Sequence, residues 1–219
     1  MRTLFPALAL MLVVCYASPY NLEAEAQSEK FRAVPEEFKQ VDFKSFTYPY
    51  EFSDGRRLLV TLKNGETEYE FGDDKGWFSL SDVYYPDLTG DGKPEALVLL
   101  SHVSCGGSCD GGAALIYIYT VRRNRLKSLW RYETGSIKYG CGLKSLTVRN
   151  RKITMELFGR CRRDGEELYG SAFHPVKDAT RLAFEFNGRK FVKKGRAFIS
   201  APERDLRNYS PAISINEKP

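Results

Sequence analysis

The residues best suited to chemistry form a short acidic segment, residues 87–95, which reads Asp-Leu-Thr-Gly-Asp-Gly-Lys-Pro-Glu. Its oxygen atoms can form one ligand set for a hard cation: Asp87, Thr89, Asp91, the backbone carbonyl of Lys93, and Glu95. Calcium prefers such oxygen ligands, and Gly92 permits the sharp turn that brings them together. We therefore predict a structural Ca²⁺ site, in which the ion neutralises the crowded carboxylates. The alternative is a metal-free turn in which Asp87 caps backbone amides itself.

The segments on either side of this loop predict strands. An EF-hand needs a glutamate at loop position 12, and that position here is Val98. The loop, with segment 78–86 before it and the apolar run after it, resembles the calcium loop of FG-GAP and VCBS-type repeats of integrin-like β-propellers. The resemblance covers about residues 78–100 and implies metal ligands at the five positions above. Thr89 stands where those repeats usually have Asp or Asn, and Glu95 where they usually have Asp.

A full propeller is not expected, because the chain has one such loop and no period that repeats along it. The whole chain also resembles uncharacterised bacterial secreted proteins that open with Asp-Phe-Lys-x-Phe-Thr-Tyr-Pro, here residues 42–49. That second resemblance implies export and no particular activity.

Four cysteines remain once a leader is removed, and an even number in an exported chain predicts two disulfides. Cys141 and Cys161 are equidistant from Arg151, the centre of a predicted hairpin, so we expect them to face each other across the strands. Cys105 then pairs with Cys109 inside a glycine-rich loop. Cross-pairing of the Cys105–Cys141 type is the main alternative.

Runs of alternating apolar and polar residues predict a single antiparallel all-β domain, in the form of a sandwich, an open barrel or partial propeller-like blades. An N-terminal linker precedes it and has room for one short helix. Consecutive predicted strands flank turn sequences: 57–63 with 66–71, 78–85 with 95–103, 113–121 with 126–133, 143–149 with 152–158, and 182–186 with 190–192.

The two ends of the chain predict targeting and linker segments. Residues 1–17 are typical of a secretory signal peptide, with a basic start and an apolar run too short to span a bilayer. We divide the remainder into a linker at 18–40, the β domain at 41–200 and a polar tail at 201–219. We expect a secreted or periplasmic protein that is not transmembrane, with lipid attachment at Cys15 as the alternative anchor.

The formal net charge is +5, and the basic residues cluster in predicted turns at 122–125, 149–152, 160–163 and from 189 onward. Such clusters are either solvated loops or a surface for an anionic envelope component or a glycan. Nucleic acid is not expected, because an exported chain without a recognition motif does not meet it. Four aromatic residues could form a sugar-binding face or belong to the core: Tyr117, Tyr119, Trp130 and Tyr132.

Catalytic residues are not assigned, because the chain has no phosphate-binding loop, serine elbow or zinc-protease motif. His102 near Cys105 has no third residue to orient it. We therefore expect a non-catalytic binding or structural protein of the cell envelope. The alternatives are a hydrolase that acts on envelope polymers, and an inhibitor of lysozyme-like envelope enzymes that uses segment 134–139.

Overall fold

The structure is a computed structural model that describes residues 32–52, 54–105, 112–137, 140–161, 178–200 and 210–216. It confirms an all-β fold in which two five-stranded sheets pack face to face and a two-stranded hairpin covers one of them. Over the described residues neither sheet closes into a barrel. The strands are β1 (Thr47–Glu51), β2 (Arg57–Thr61), β3 (Glu66–Phe71), β4 (Asp74–Tyr84), β5 (Ala96–Ser104), β6 (Ala113–Arg122), β7 (Arg125–Ser136), β8 (Leu143–Arg149), β9 (Lys152–Phe158), β10 (Asp178–Phe186), β11 (Phe191–Ser200) and β12 (Ala212–Asn216).

The first sheet is an antiparallel meander in the order β3-β4-β5-β6-β7, and both of its faces are covered. Successive side chains of a strand point to opposite faces. Leu97 and Leu99 of β5 accordingly pack against the second sheet, whereas Val98 and Leu100 pack under the covering hairpin. Burial on both faces explains why residues 96–100 form an unbroken apolar run.

The second sheet has the order β11-β10-β9-β8-β12, and among the described residues only one of its faces is covered. Val148, Ile153 and Met155 are fully buried against the first sheet, and the alternate positions carry polar side chains. Strand β12 pairs parallel to β8, and its Ile215 is buried in the same core. The segment that we expected to be a polar tail therefore supplies a strand, because its alternating isoleucines reach the core.

The covering layer consists of β1, β2 and two 3₁₀ turns, Glu36–Phe38 and Phe43–Ser45. Phe38 lies in the segment that we expected to be a linker, yet it is fully buried and its ring lies 5.3 Å from that of Tyr85. The ordered domain therefore begins before residue 41, since this aromatic residue is needed to cover the first sheet.

The Asn64-Gly65 hairpin prediction is wrong in its long-range part. The turn itself forms, with positive φ at both residues, but a single bridge joins Lys63 to Glu66 and the two strands then separate. Strand β2 pairs with β1, and β3 pairs with β4. The separation lets β2 and the residue after it, Leu62, pack onto the face of the first sheet.

Four connections lie together at one end of the sandwich: residues 85–95, 122–125, 149–152 and 187–190. Within the second sheet, Lys152 lies opposite both Arg149 and Glu185, which places two of these turns side by side. Arg151 approaches Gly90, which brings the turn of the second sheet to the acidic loop of the first. The strand ends that flank residues 106–111 and 162–177 lie at the opposite end.

Candidate functional site

The acidic loop is held by hydrogen bonds from its own backbone. Asp87 accepts from the amides of Gly90 at 2.6 Å and Gly92 at 3.0 Å, one on each carboxylate oxygen. Asp91 accepts from the amide of Lys93 at 3.0 Å. These contacts are those of the metal-free turn, in which short acidic side chains satisfy the amides of a loop that cannot form regular structure.

Glu95 points into the protein and is fully buried. Its Oε2 accepts from the amides of Leu88 at 2.8 Å and Thr89 at 3.0 Å, and its Oε1 accepts from the hydroxyl of Thr89 at 3.1 Å. Burial raises the pKa of Glu95 to about 7, although these three hydrogen bonds oppose the rise. Glu95 therefore acts as an internal acceptor that fixes the start of the loop.

In this conformation, side-chain oxygens of the predicted calcium ligands Asp87, Thr89, Asp91 and Glu95 take part in hydrogen bonds within the loop. Within the described ranges, no group of three His, Cys, Asp or Glu side chains is arranged to hold a metal ion. Thr89 and Glu95 are bonded to each other, and both oxygens of Asp87 accept amide protons. The residues present therefore do not fit a three-carboxylate cage, and calcium binding by this loop stays a prediction.

The cysteine predictions concern two disulfides. Cys141 and Cys161 are bonded, with their Cα atoms 5.8 Å apart, which confirms that pairing. Cys105 is also part of a disulfide, and Cys109 lies outside the described residues. Cys105 is therefore not a free nucleophile for His102.

The four aromatic residues considered as a sugar platform are divided between two cores. Tyr117 and Tyr119 pack under the covering layer, whereas Trp130 and Tyr132 contact Phe184 between the sheets. They share no exposed face. In segment 134–139, the hydroxyl of Thr134 bonds to the backbone of its own sheet, and residues 138–139 lie outside the described part.

A polar cluster that the sequence did not reveal lies under the covering hairpin. His102 is 6% exposed, stacks on Phe78 with ring centroids 4.4 Å apart, and bonds through Nε2 to Tyr69 at 3.0 Å. Glu133 accepts from Tyr50 at 3.0 Å and from Arg131 at 2.8 Å. No local sequence motif predicts this cluster, because its members come from four different strands, β1, β3, β5 and β7.

The charges of this cluster favour a neutral histidine. Burial lowers the pKa of His102 to about 4, with a further contribution from the charge of Arg131. Glu133 lies 3.9 Å from His102 Nδ1, too far for a hydrogen bond, and burial raises the pKa of its carboxyl. The cluster thus links the covering hairpin to the first sheet.

The most distinctive surface is the end of the sandwich that holds the four connections, which we call the basic end. It carries nine Lys and Arg against three Asp and Glu, and one of the three acids is the buried Glu95. All nine basic side chains are exposed: Lys93, Arg122, Arg123, Arg125, Arg149, Arg151, Lys152, Arg189 and Lys190. In the part of the chain that the structure describes, Lys152 alone among them makes an ion pair, to Glu185 at 3.7 Å. The predicted basic turns are therefore a single patch, except Arg160, which pairs with Asp178 at the opposite end.

A groove of about 540 Å³ continues from the basic end along the uncovered face of the second sheet, and we call it the outer groove. It crosses β8, β9 and β10. Its walls are charged and its floor carries hydroxyl groups; the lining residues are Ser145, Thr147, Arg149, Asn150, Lys152, Thr154, Glu156, Arg181 and Glu185.

Comparisons with protein-family models, with curated proteins and with solved structures found no match to this chain. No helix among the described residues has the length and apolar content needed to cross a membrane.

Proposed function

We propose that this chain is an exported, non-catalytic binding protein of the cell envelope that holds an anionic component at its basic end. The observation that carries the proposal is the convergence of three basic turns and Lys93 on one end of the sandwich, where all nine cations are exposed. A patch of one sign attracts polyanions and raises their association rate.

The pairing of the strands at this end supports a role in binding. Arg122 lies directly opposite Arg125, and Arg149 lies directly opposite Lys152. Like charges in direct cross-strand positions destabilise a sheet. Both pairs occur in hairpins of the same type, whose turn residues have positive φ. A protein that keeps two such unfavourable pairs at one end gains something other than stability from them.

The acidic loop has a structural part in this proposal. Its internal hydrogen bonds hold Gly90 in place beneath Arg151, and Lys93 extends from its tip into the basic end. Asp87 and Asp91 remain the local counter-charges of the patch. Export and envelope location are proposed on the leader-like residues 1–17 and the disulfide Cys141–Cys161.

The test is binding of the purified protein to immobilised polyanions, with the double variant Arg122→Gln, Arg149→Gln. We expect its affinity to fall at least tenfold, because each substitution removes an unpaired cation from the contact surface. We also expect its melting temperature to stay the same or rise, because both like-charge pairs are relieved.

The matched control is Arg57→Gln with Lys75→Gln, which removes two exposed cations away from the basic end. This control should bind as the wild type does. Equal losses in the two double variants would show that net charge alone is responsible and would overturn the assignment of the basic end.

A further inference from the structure

We propose that the anionic component is an acidic glycan, and that its sugar chain lies in the outer groove with its carboxylates at the basic end. This inference rests on the proposed function and assigns a ligand class to it. The groove is continuous with the basic end through Arg149, Asn150 and Lys152, which belong to both surfaces.

Three cross-strand rows form the groove. The upper row is Arg149, Lys152 and Glu185, the middle row is Thr147, Thr154 and Ala183, and the lower row is Ser145, Glu156 and Arg181. Successive rows on one face are roughly 7 Å apart. The long charged side chains of the upper and lower rows therefore extend further from the sheet than the short side chains of the middle row. The middle row forms the floor of a recess that runs across the strands.

The floor of the groove offers hydrogen-bonding groups that the protein leaves unused. Within the described ranges, the hydroxyls of Ser145, Thr147 and Thr154 make no hydrogen bond. Thr147 and Thr154 lie directly opposite each other, so the two threonine side chains are neighbours on the same face of adjacent strands. A hydroxyl both donates and accepts, which suits the hydroxyl groups of a sugar ring.

The charges of the walls favour a sparsely charged chain over a dense one. Glu156 is held by Arg181 at 2.7 Å and by Lys144 at 3.2 Å, and Glu185 faces Lys152. Arg149 is the unbalanced cation. A sugar chain can donate hydroxyl protons to the two carboxylates while its own acidic groups contact Arg149 and Lys152. Polyphosphate has no hydroxyl protons to offer those carboxylates and would be repelled by them.

Two other anionic partners fit the groove less well. A bilayer is flat, and it could contact the hairpin tips of the basic end but not a recess on the side of the sandwich. Single-stranded nucleic acid binds through bases stacked on aromatic side chains. The lining residues of the groove include no aromatic side chain.

The experiment measures binding of the purified protein to oligogalacturonate, a uronic acid chain, and to its neutral methyl ester. Polyphosphate and phosphatidylglycerol vesicles are the other anionic probes. The test variant is Thr147→Val with Thr154→Val, which removes two hydroxyls while it keeps shape, charge and strand propensity. The control is Thr47→Val with Thr61→Val, a directly opposed and exposed threonine pair of the covering hairpin.

We expect wild-type protein to bind oligogalacturonate and to lose that binding when the carboxylates are esterified. The Thr147→Val, Thr154→Val variant should bind oligogalacturonate roughly tenfold more weakly, because two hydrogen bonds are lost. Its binding to polyphosphate should be unchanged, and the control variant should match the wild type with every probe.

The outcomes separate the two proposals. One outcome is that the groove variant binds oligogalacturonate with full affinity while the Arg122→Gln, Arg149→Gln variant loses affinity. That result would overturn the groove as the glycan site and would leave the proposed function of the basic end in place. Binding to vesicles or polyphosphate without binding to oligogalacturonate would also overturn the glycan and keep the proposed function. Failure to bind any of the three anionic probes would overturn both.

Discussion

The guanidinium of Arg151, at the tip of the β8–β9 hairpin, lies directly over Gly90 in the acidic loop of the other sheet. A Cβ built on Gly90 would lie 2.9 Å from Arg151 Cδ and 3.0 Å from Cζ. A side chain at position 90 would therefore have to displace the flexible Arg151 side chain. Gly90 also has φ +80°, in the left-handed region that glycine alone adopts without strain. The contact aligns the tips of the two sheets and so assembles the basic end.

The first prediction concerns this contact. Gly90→Ala should lower the free energy of unfolding in urea by about 1–2 kcal/mol from backbone strain, with a further loss because Arg151 must move. Gly92 is the matched control, with φ +81° and no atom within 4 Å of its Cβ position. Gly92→Ala should show the backbone cost alone, and the two substitutions should become equal in an Arg151→Ala background. Equal costs in the wild-type background would contradict the contact.

The second prediction follows from the buried carboxyl of Glu95. Its pKa rises from the ordinary 4.5 to about 7 in the folded protein. Because the pKa of this acid is raised on folding, the protonated carboxyl makes its full contribution to stability below pH 4.5. That contribution is lost as the pH rises through 7. Glu95→Gln cannot ionise and can still accept from the amides of Leu88 and Thr89. Urea unfolding from pH 4.5 to 7 should therefore show a fall for the wild type that is absent from this variant.

A charge-matched control for Glu95 is available on the exposed edge strand β3. Glu66→Gln removes one glutamate from an exposed position and should leave the wild-type pH profile intact. An unchanged profile in Glu95→Gln would show that the carboxyl does not titrate in this range.

The third prediction concerns His102, whose pKa falls from 6.5 to about 4 on burial. A lowered histidine pKa contributes stability above pH 6.5 that is lost as the pH falls through 4. Tyr69, Tyr50 and Glu133 lie around the ring, and the charge of Arg131 adds to the lowering of the His102 pKa. His102→Phe keeps the stacking on Phe78 but cannot ionise. We therefore expect the variant to lose less stability than the wild type as the pH falls from 6.5 to 4.

Because Glu95 acts in the opposite direction over the same range, the His102 measurement is best made in a Glu95→Gln background. There, stability should fall further between pH 6.5 and 4 in the parent than in the His102→Phe variant. Parallel profiles would show that the histidine is charged in the folded protein or accessible to water.

The fourth prediction concerns calcium. If the loop is the metal-free turn, in which Asp87 and Glu95 already satisfy the loop amides, the melting temperature should be the same in millimolar calcium and in chelator. A melting temperature several degrees higher in calcium than in chelator, with no such increase in magnesium, would instead establish the site implied by the resemblance to FG-GAP loops. Asp87→Asn keeps only one of the two acceptor oxygens and weakens a calcium site, so it should reduce any calcium-dependent rise in melting temperature.

Much of the fold could be predicted because strand alternation and turn chemistry are local. The pairs β4–β5, β6–β7, β8–β9 and β10–β11 all follow from alternating or β-rich runs on either side of a turn. The hairpin prediction at Asn64-Gly65 was wrong for the same reason, since turn chemistry is local. It determines the geometry of four residues, whereas burial of Val60 and Leu62 on the first sheet decides which strand β2 joins.

The candidate site was less accessible, because it depends on which face a side chain takes. The spacing of Glu95 from the other acidic residues of the loop predicts a metal ligand. Glu95 directly precedes a strand that is buried on both faces, however, and its side chain is buried as well. The basic clusters are visible in the sequence, yet only the strand order shows that 122–125, 149–152 and 187–190 share one end. The groove floor needs the register that places Thr147 opposite Thr154.

The most direct test of the basic end is the salt dependence of binding to oligogalacturonate. Affinity plotted against salt concentration on logarithmic axes should fall steeply for the wild type, because cations such as Arg122 and Arg149 displace counterions from the polymer. The Arg122→Gln, Arg149→Gln variant should bind more weakly and with a slope reduced by roughly one for each contact removed. Identical affinities and slopes for the two proteins would contradict a role for the basic end.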